Sequence, residues 1–173
     1  MSTVVVPHPT GERRPLALRR VAIAGAVMAA LDIAYAWANW VVVQHVITTE
    51  QLFHSIAAGL VGRDAARAGG MQTALLGAFL HVVIAFLWTI GFYLAVRSSA
   101  TLRGWMGSTG GAVLVGLAYG AVVYLAMNYV VIPLSAAPRP NPTLDWKFYF
   151  NLVQHMLMVG LPIALIIRDG EPG

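Results

Sequence analysis

The residues with the greatest chemical potential are polar side chains that lie inside long apolar runs of the sequence. Each of four such runs contains at least one; in chain order the most costly are Asp32, His81, Asn128 and His155. Ionisable residues within a membrane span are rare and expensive to bury, and they often mark function, so each is a candidate for binding or proton transfer. Further polar residues follow on the same predicted helix faces, namely Tyr35, Asn39, Tyr124, Lys147, Asn151 and Gln154.

Three kinds of chemistry fit this set of residues. In the first, the polar groups form a hydrogen-bonded network that fixes helix packing, or a pocket that binds a small ligand. In the second, His81 and His155 are the axial ligands of a b-type haem, with small residues such as Gly77 leaving room beside the ring. In the third, Asp32 and the histidines transport or sense a proton or a small ion.

Other chemistry finds little support in the sequence. It contains no Gly-rich phosphate loop, no nucleophile elbow and no paired carboxylates, so catalysis is not favoured. Cysteine is absent, and no His-x-x-x-His or carboxylate-rich pattern occurs, so no metal site is expected. The sequence therefore favours a non-enzymatic protein without a cofactor, and haem b remains the alternative.

The composition indicates that lipid surrounds these residues. Hydrophobic residues make up 58% of the chain and charged residues only 10%, against about 45–50% and about 25% in soluble domains. The net charge of +4 does not indicate nucleic-acid binding, because the basic residues flank apolar runs. The expected partner is the lipid bilayer.

The apolar runs predict an all-α membrane protein, a bundle of four transmembrane helices. The predicted spans cover residues 21–43, 73–96, 112–134 and 148–168, which together form a membrane domain at 21–168. The first run is too long for the core of a signal peptide, so we expect it to be retained. Residues 1–20 and 169–173 are predicted tails. Residues 49–68, in the first loop, show the spacing of an amphipathic helix at the membrane interface, capped by Thr48 or Thr49.

The arginines predict which side of the membrane each loop occupies. One side would hold Arg13, Arg14, Arg19, Arg20, Arg97, Arg103 and Arg168, and the other side Arg63, Arg67, Arg139 and Lys147. Cytoplasmic segments carry an excess of basic residues, so both termini and both predicted tails are expected to be cytoplasmic.

This topology places three of the polar residues at one depth. His81, Asn128 and His155 lie eight, six and seven residues from the outer ends of their predicted spans. At a rise of about 1.5 Å per residue they would form one layer, about 9–12 Å below the outer surface. Asp32 would lie near the membrane centre. The sequence therefore predicts a polar interior that opens outward, above an inner half that is mostly aliphatic.

Two ladders of small residues predict close contact between helices. The first run carries Ala22, Ala26, Ala30, Ala34 and Ala38, and the third carries Ala112, Gly116 and Gly120. Such ladders support either a tight bundle or a homo-oligomer, through Gly116 and Gly120 or through the alanines from Ala22 to Ala38. In the fourth run, Pro162 predicts a local kink.

Three stretches carry a family resemblance: GMQTALLGAFLHVVIAFLWTIGFYLAV, GLAYGAVVYLAMNYVVIPLSAAP and FNLVQHMLMVGLPIALIIR. Together they resemble small bacterial inner-membrane proteins of the YagU type, whose function is unassigned. The positions that match are His81, Gly116, Gly120, Pro133, Leu134, His155 and Arg168. The resemblance implies a helical membrane fold in a bacterial inner membrane and no particular activity.

Overall fold

The computed structural model of the protein describes residues 13–138 and 144–168, and four of its helices are long and apolar enough to cross a membrane. They are Ala17–Val43, Gly70–Ser98, Thr109–Leu134 and Trp146–Arg168, here named spans 1 to 4. A long apolar run favours a helix because every backbone N–H and C=O then pairs within the segment. The four predicted spans are confirmed as helices of this length and composition, and each begins two to four residues earlier than predicted.

The helices differ in detail from the sequence-based assignment. In chain order they are α1 (Arg13–Trp37), α2 (Thr49–Val61), α3 (Arg63–Ala68), α4 (Gly70–Ser98), α5 (Ala100–Met106), α6 (Thr109–Ala126), α7 (Ile132–Leu134), α8 (Trp146–His155) and α9 (Leu161–Arg168). Three π-helical segments, Ala38–Val43, Met127–Val131 and Met156–Gly160, continue α1, α6 and α8. Residues 13–20, assigned to the N-terminal tail, are already helical. The rest of that tail, the C-terminal tail at 169–173 and Arg139 lie outside the described residues.

Span 1 packs against both span 2 and span 4, and span 3 packs on span 4. The largest cluster of buried apolar side chains comes from residues 24–29, 85–96, 112–123 and 159–167 of the four spans, with Met106 of α5. All of these residues except Val123, which lies just past the middle of span 3, are in one half of the bundle, whose end carries Arg19, Arg20, Arg97, Arg103 and Arg168. We name it the arginine half. The other half, which carries α2 and α3, is the loop half.

Spans 3 and 4 meet along Gly116, Gly120 and Gly160. A Cβ atom on Gly160 would overlap the backbone of both other glycines, and a Cβ atom on Gly116 would stand 2.8 Å from the Ala164 Cβ. Small residues permit this close backbone approach, which supplies packing where lipid removes the hydrophobic drive. The glycine ladder is therefore packed within the chain, and a dimer through Gly116 and Gly120 would have to displace span 4.

The alanine ladder of span 1 lies on the outside of the bundle. All five of its members are exposed, whereas Ala24 and Met28 of the same helix are buried. Span 1 thus has a smooth alanine surface opposite the face that lines the bundle. Oligomerisation through this ladder stays a prediction.

The predicted interfacial helix is two helices, α2 and α3, joined at Gly62. Gly62 has a φ of 82°, a left-handed conformation that ends α2 and that residues with a side chain rarely adopt. The predicted cap is confirmed at Thr48, whose side chain accepts a hydrogen bond from the Gln51 N–H at 3.2 Å. Helix α2 packs directly on span 2, because Gly77 lets the backbone of Phe53 approach without a clash.

Near Pro162, where the sequence predicts a kink, the helix contains a π-helical turn. In the segment Met156–Gly160, the N–H of Leu161 donates to the Met156 carbonyl, five residues back. Pro162 has no N–H, and its ring would crowd the carbonyl of Met158 in a regular α-helix. The wider turn is a recognised way to accommodate such an irregularity within a continuous helix.

Candidate functional site

A hydrogen bond between spans 1 and 4 forms the centre of the site. Gln154 Nε2 donates to Asp32 Oδ1 at 3.2 Å. Gln154 is buried and Asp32 is partly buried. Asp32 lies fifteen residues after the start of span 1 and eleven before its end, so a carboxylate stands near mid-span. An interhelical polar bond of this kind fixes how two spans are aligned.

Tyr35 adds an unused hydrogen-bonding group on the same side of span 1. It follows Asp32 by three residues, about one helical turn toward the loop end. Its hydroxyl is buried and has no hydrogen-bond partner, and its ring centroid lies 6.3 Å from that of Phe150 on span 4. A buried hydroxyl without a partner is costly, so this group is available to a ligand or a water molecule.

His155 and Tyr124 bring span 3 to the same site. Their ring centroids are 5.0 Å apart, and the Phe148 ring lies 5.3 Å from Tyr124. His155 Nδ1 faces the Asn151 carbonyl at 2.8 Å, and since a carbonyl only accepts, Nδ1 donates. When the imidazole is neutral, its Nε2 is therefore an acceptor. The geometry thus leaves one nitrogen of His155 for another group.

His81 is held by span 1 and contacts a different set of residues. Its Nε2 lies 2.9 Å from the Ala29 carbonyl and donates to it. Only Nδ1 of this imidazole is left for another partner. Gly77, which was expected to leave room for a haem, instead accommodates Phe53 of α2. Ligation of haem b by His81 and His155 stays a prediction, which the visible absorption spectrum of the purified protein would test.

The asparagines of the predicted site bond locally. Asn128 Nδ2 donates to the Tyr124 carbonyl, and Asn151 Nδ2 donates to the Lys147 carbonyl, each at 2.9 Å and within its own helix. Asn39 Oδ1 accepts from Gln44 Nε2 at 3.0 Å, at the loop end of span 1. These contacts do not join the asparagines to the Asp32–Gln154 pair.

The helix contacts also show which residues share a level. Asp32 lies at the height of Gln154, and the His155 carbonyl lies against Gly120. His81 lies at the height of Ala29, which is one helical turn before Asp32 on span 1. Asn128 is eight residues beyond Gly120, about 12 Å nearer the loop end. The predicted single layer is therefore split, with Asn128 above the others. The loop-side ends of spans 2, 3 and 4 differ from the predicted ends by three, zero and two residues, so most of the separation comes from the heights at which the spans meet.

The Tyr35 hydroxyl and His155 Nε2 can form hydrogen bonds with a ligand, and the Asp32 carboxylate can balance one positive charge. Within residues 13–138 and 144–168, no three His, Asp or Glu side chains lie close enough together to hold a metal ion. No protein-family model, curated protein or solved structure matches the chain. The site must therefore be interpreted from its own geometry, and the resemblance to YagU-type proteins stays a prediction.

Two polar residues on the inward faces of spans 1 and 4 were not identified as site residues in the sequence analysis. Gln154 was noted only as a neighbour of the polar face on span 4, although it is the partner of Asp32. Arg20 was counted only for topology. It precedes Ala24, Met28 and Asp32 at intervals of four, so it lies on the inward face of span 1. That spacing was the signal that would have identified it.

Proposed function

We propose that the protein is a multi-pass inner-membrane protein of a bacterium that binds a proton or a small cationic ligand at Asp32. The observation that carries this proposal is the Asp32–Gln154 contact at mid-span. Gln154 is a neutral donor, and Asp32 has no cationic partner among the described residues. A carboxylate in apolar surroundings needs a counter-charge, and uptake of a proton or a cation supplies one.

The distribution of packing supports access from the loop half. Between Asp32 and the arginine end, the interior is filled by buried side chains such as Met28, Phe92 and Ile163. Toward the loop end, the bundle contains the unpartnered Tyr35 hydroxyl and the Tyr124–His155 pair instead. A hydrated ligand therefore reaches Asp32 most easily from the loop side.

The charge distribution supports an orientation with both termini in the cytoplasm. The described charged residues at the arginine end are all basic, whereas the loop end carries Glu50, Asp64 and Asp145 beside its basic residues. Basic residues collect on the cytoplasmic side of membrane proteins. In this orientation the site opens away from the cytoplasm, and α2 lies along the outer membrane interface.

The test measures proton and cation binding by the purified protein in detergent, with Asp32→Asn as the variant. Infrared difference spectra between acid and neutral solutions report protonation of a carboxyl group, and thermal unfolding with sodium or ammonium salts reports cation binding. We expect Asp32→Asn to remove the component of the carboxyl band that belongs to a carboxyl group in apolar surroundings, or the cation stabilisation. Asp64→Asn, which changes an exposed carboxylate on α3, is the matched control; it should reduce only the component of exposed carboxyl groups and leave the cation stabilisation unchanged.

The competing explanation is that the pair only aligns spans 1 and 4. In that case Asp32→Asn, which keeps a hydrogen-bonding side chain of the same shape, would bind protons and cations as the wild type does. Gln154→Leu would then lower stability by about 0.6–1.7 kcal/mol, the usual range for interhelical polar bonds, with no change in binding. That combination of results would reject the proposed function.

A further inference from the structure

The arginine end of the bundle carries positive charge that the described residues do not balance. Five arginine side chains are described there: Arg19, Arg20, Arg97, Arg103 and Arg168. The described carboxylates are Asp32, Glu50, Asp64 and Asp145, and none of them lies at this end. No ion pair links any of these arginines to a described carboxylate. Because no described carboxylate neutralises these arginines, this surface has a positive potential that attracts anions.

Arg20 differs from the other arginines because part of its guanidinium is buried. The residue is partly buried, and its Nη1 is fully enclosed yet has no hydrogen-bond partner. By contrast, Arg97 Nη1 donates to the Tyr93 hydroxyl at 3.2 Å, Arg103 Nη1 donates to the Arg97 carbonyl, and Arg19 is exposed. Leaving a buried charged donor unsatisfied is strongly unfavourable, so Arg20 is the group at this end that most requires a partner.

Arg20 and Arg168 lie at similar heights on neighbouring helices. The Asp32–Gln154 contact aligns the antiparallel spans 1 and 4. Arg20 is twelve residues before Asp32, and twelve residues after Gln154 the chain reaches Ile166, two residues before Arg168. Both arginines therefore stand within about one turn of the same level, on helices in direct contact.

We infer that Arg20, with Arg168 at a similar height on the neighbouring span, binds a phosphate group, carried either by an anionic phospholipid headgroup or by free phosphate. The planar guanidinium matches phosphate oxygens with paired, charge-assisted hydrogen bonds. Arg20 stands four residues inside the start of span 1, at the depth where headgroups meet an apolar helix. The inference does not depend on which end of the bundle is cytoplasmic or on any binding at Asp32.

Native mass spectrometry of the full-length protein in detergent tests the site directly. Phosphatidylglycerol, phosphatidylcholine and inorganic phosphate are titrated separately against the wild type and three variants: Arg20→Gln, Arg20→Lys and Arg63→Gln. Hydrogen bonds to charged groups contribute about 1.5–3 kcal/mol. We therefore expect Arg20→Gln to weaken phosphatidylglycerol binding by about tenfold or more. Arg63→Gln removes an exposed arginine of α3 at the opposite end and should change binding little.

The arms of the experiment separate the sources of the phosphate. Preferential binding of phosphatidylglycerol over phosphatidylcholine assigns the site to anionic lipid, and binding of inorganic phosphate alone assigns it to the free ion. Arg20→Lys keeps the charge and loses the planar fork, so it provides a folded variant with weakened binding if Arg20→Gln does not fold. Equal binding of both lipids without binding of inorganic phosphate would overturn the inference, and so would wild-type binding by both Arg20→Gln and Arg20→Lys.

Discussion

In the arginine half the four spans meet mainly through fully buried apolar side chains, and Tyr119 of span 3 also donates to the Trp88 carbonyl of span 2 at 2.6 Å. On the loop side of Asp32 the described contacts between spans are instead aromatic pairs such as Tyr35 with Phe150 and Tyr124 with Phe148. Phe92, Val159 and Ile163 have at most 2% of their surface exposed. On the other side of Asp32, Tyr35 has an unpartnered hydroxyl, and the Tyr124 and His155 rings pack at a tilt of 56° with centroids 5.0 Å apart. The comparison separates a half whose interior is filled by apolar side chains from a half whose interior holds the Tyr35 hydroxyl and the Tyr124–His155 pair.

This division explains how a small bundle can hold a polar site. Buried polar groups that lack hydrogen-bond partners weaken the contact between two helices. The stability of the bundle must therefore come from other parts of the same helices. Here the glycine contacts of spans 3 and 4 and the apolar cluster lie in or next to the arginine half. Variants placed in each half should therefore have unequal effects.

The largest effect is expected for Gly160→Val. A side chain at this position would overlap the backbone of Gly116 and Gly120, so spans 3 and 4 would have to separate. Overpacking of this kind destabilises by about 3 kcal/mol or more when the backbone cannot move. Thermal unfolding in detergent measures the change. Gly104→Val on α5 is the control, because a Cβ atom there meets nothing within 4 Å. A wild-type unfolding midpoint for Gly160→Val would contradict the packing of spans 3 and 4.

Phe92→Ala and Phe150→Ala compare the halves directly with one chemical change. Phe92 is 2% exposed and Phe150 is 51% exposed. Removal of the buried ring leaves a cavity and should lower the free energy of unfolding by about 3 kcal/mol, whereas removal of the exposed ring should change it by about 0.5 kcal/mol. Unfolding of both variants under the same conditions gives the difference. Equal losses would contradict the burial of Phe92 in the arginine half.

Gly77→Ala should have a smaller and local effect. The added methyl group would displace the backbone of Phe53, so α2 should loosen on span 2 at a cost of about 1–2 kcal/mol. Hydrogen exchange should then accelerate at residues 49–61 and stay unchanged in spans 3 and 4. Gly59→Ala is the control, because its Cβ atom would stand an ordinary 3.8 Å from the Ser135 Oγ. Equal acceleration in both variants would show that the contact at Gly77 is not special.

The four spans could be predicted because apolar length alone specifies them, and the glycine ladder could be predicted because Gly116 and Gly120 are separated by four residues. The partner of that ladder could not, since Gly160 is a single glycine in another run. The break at Gly62 was also missed, because residues 63–68 consist of Arg, Asp and Ala, a composition that a continuing helix would also have. A positive φ leaves no trace in hydrophobic periodicity.

The polar site was predicted residue by residue but not as a set of contacts. Asp32, Tyr35 and His155 were identified by their cost within apolar runs, and the structure places them around one region. Pairing depends on helix rotation and height, which the sequence specifies only loosely. Asn128 was therefore grouped with residues from which it is separated, and Gln154 was underweighted.

The π-helical turn of span 4 has a consequence for chain length. The face that span 4 presents to span 3 runs through Phe148, His155, Gly160 and Ala164, at intervals of seven, five and four residues. A regular helix would repeat this face after four residues where the π turn uses five. The π turn thus adds one residue between the two parts of this face, Phe148 to His155 and Gly160 to Ala164. We expect a one-residue deletion between His155 and Gly160 to preserve both parts of this face, whereas a deletion elsewhere in the span would rotate one part against the other by about 100°.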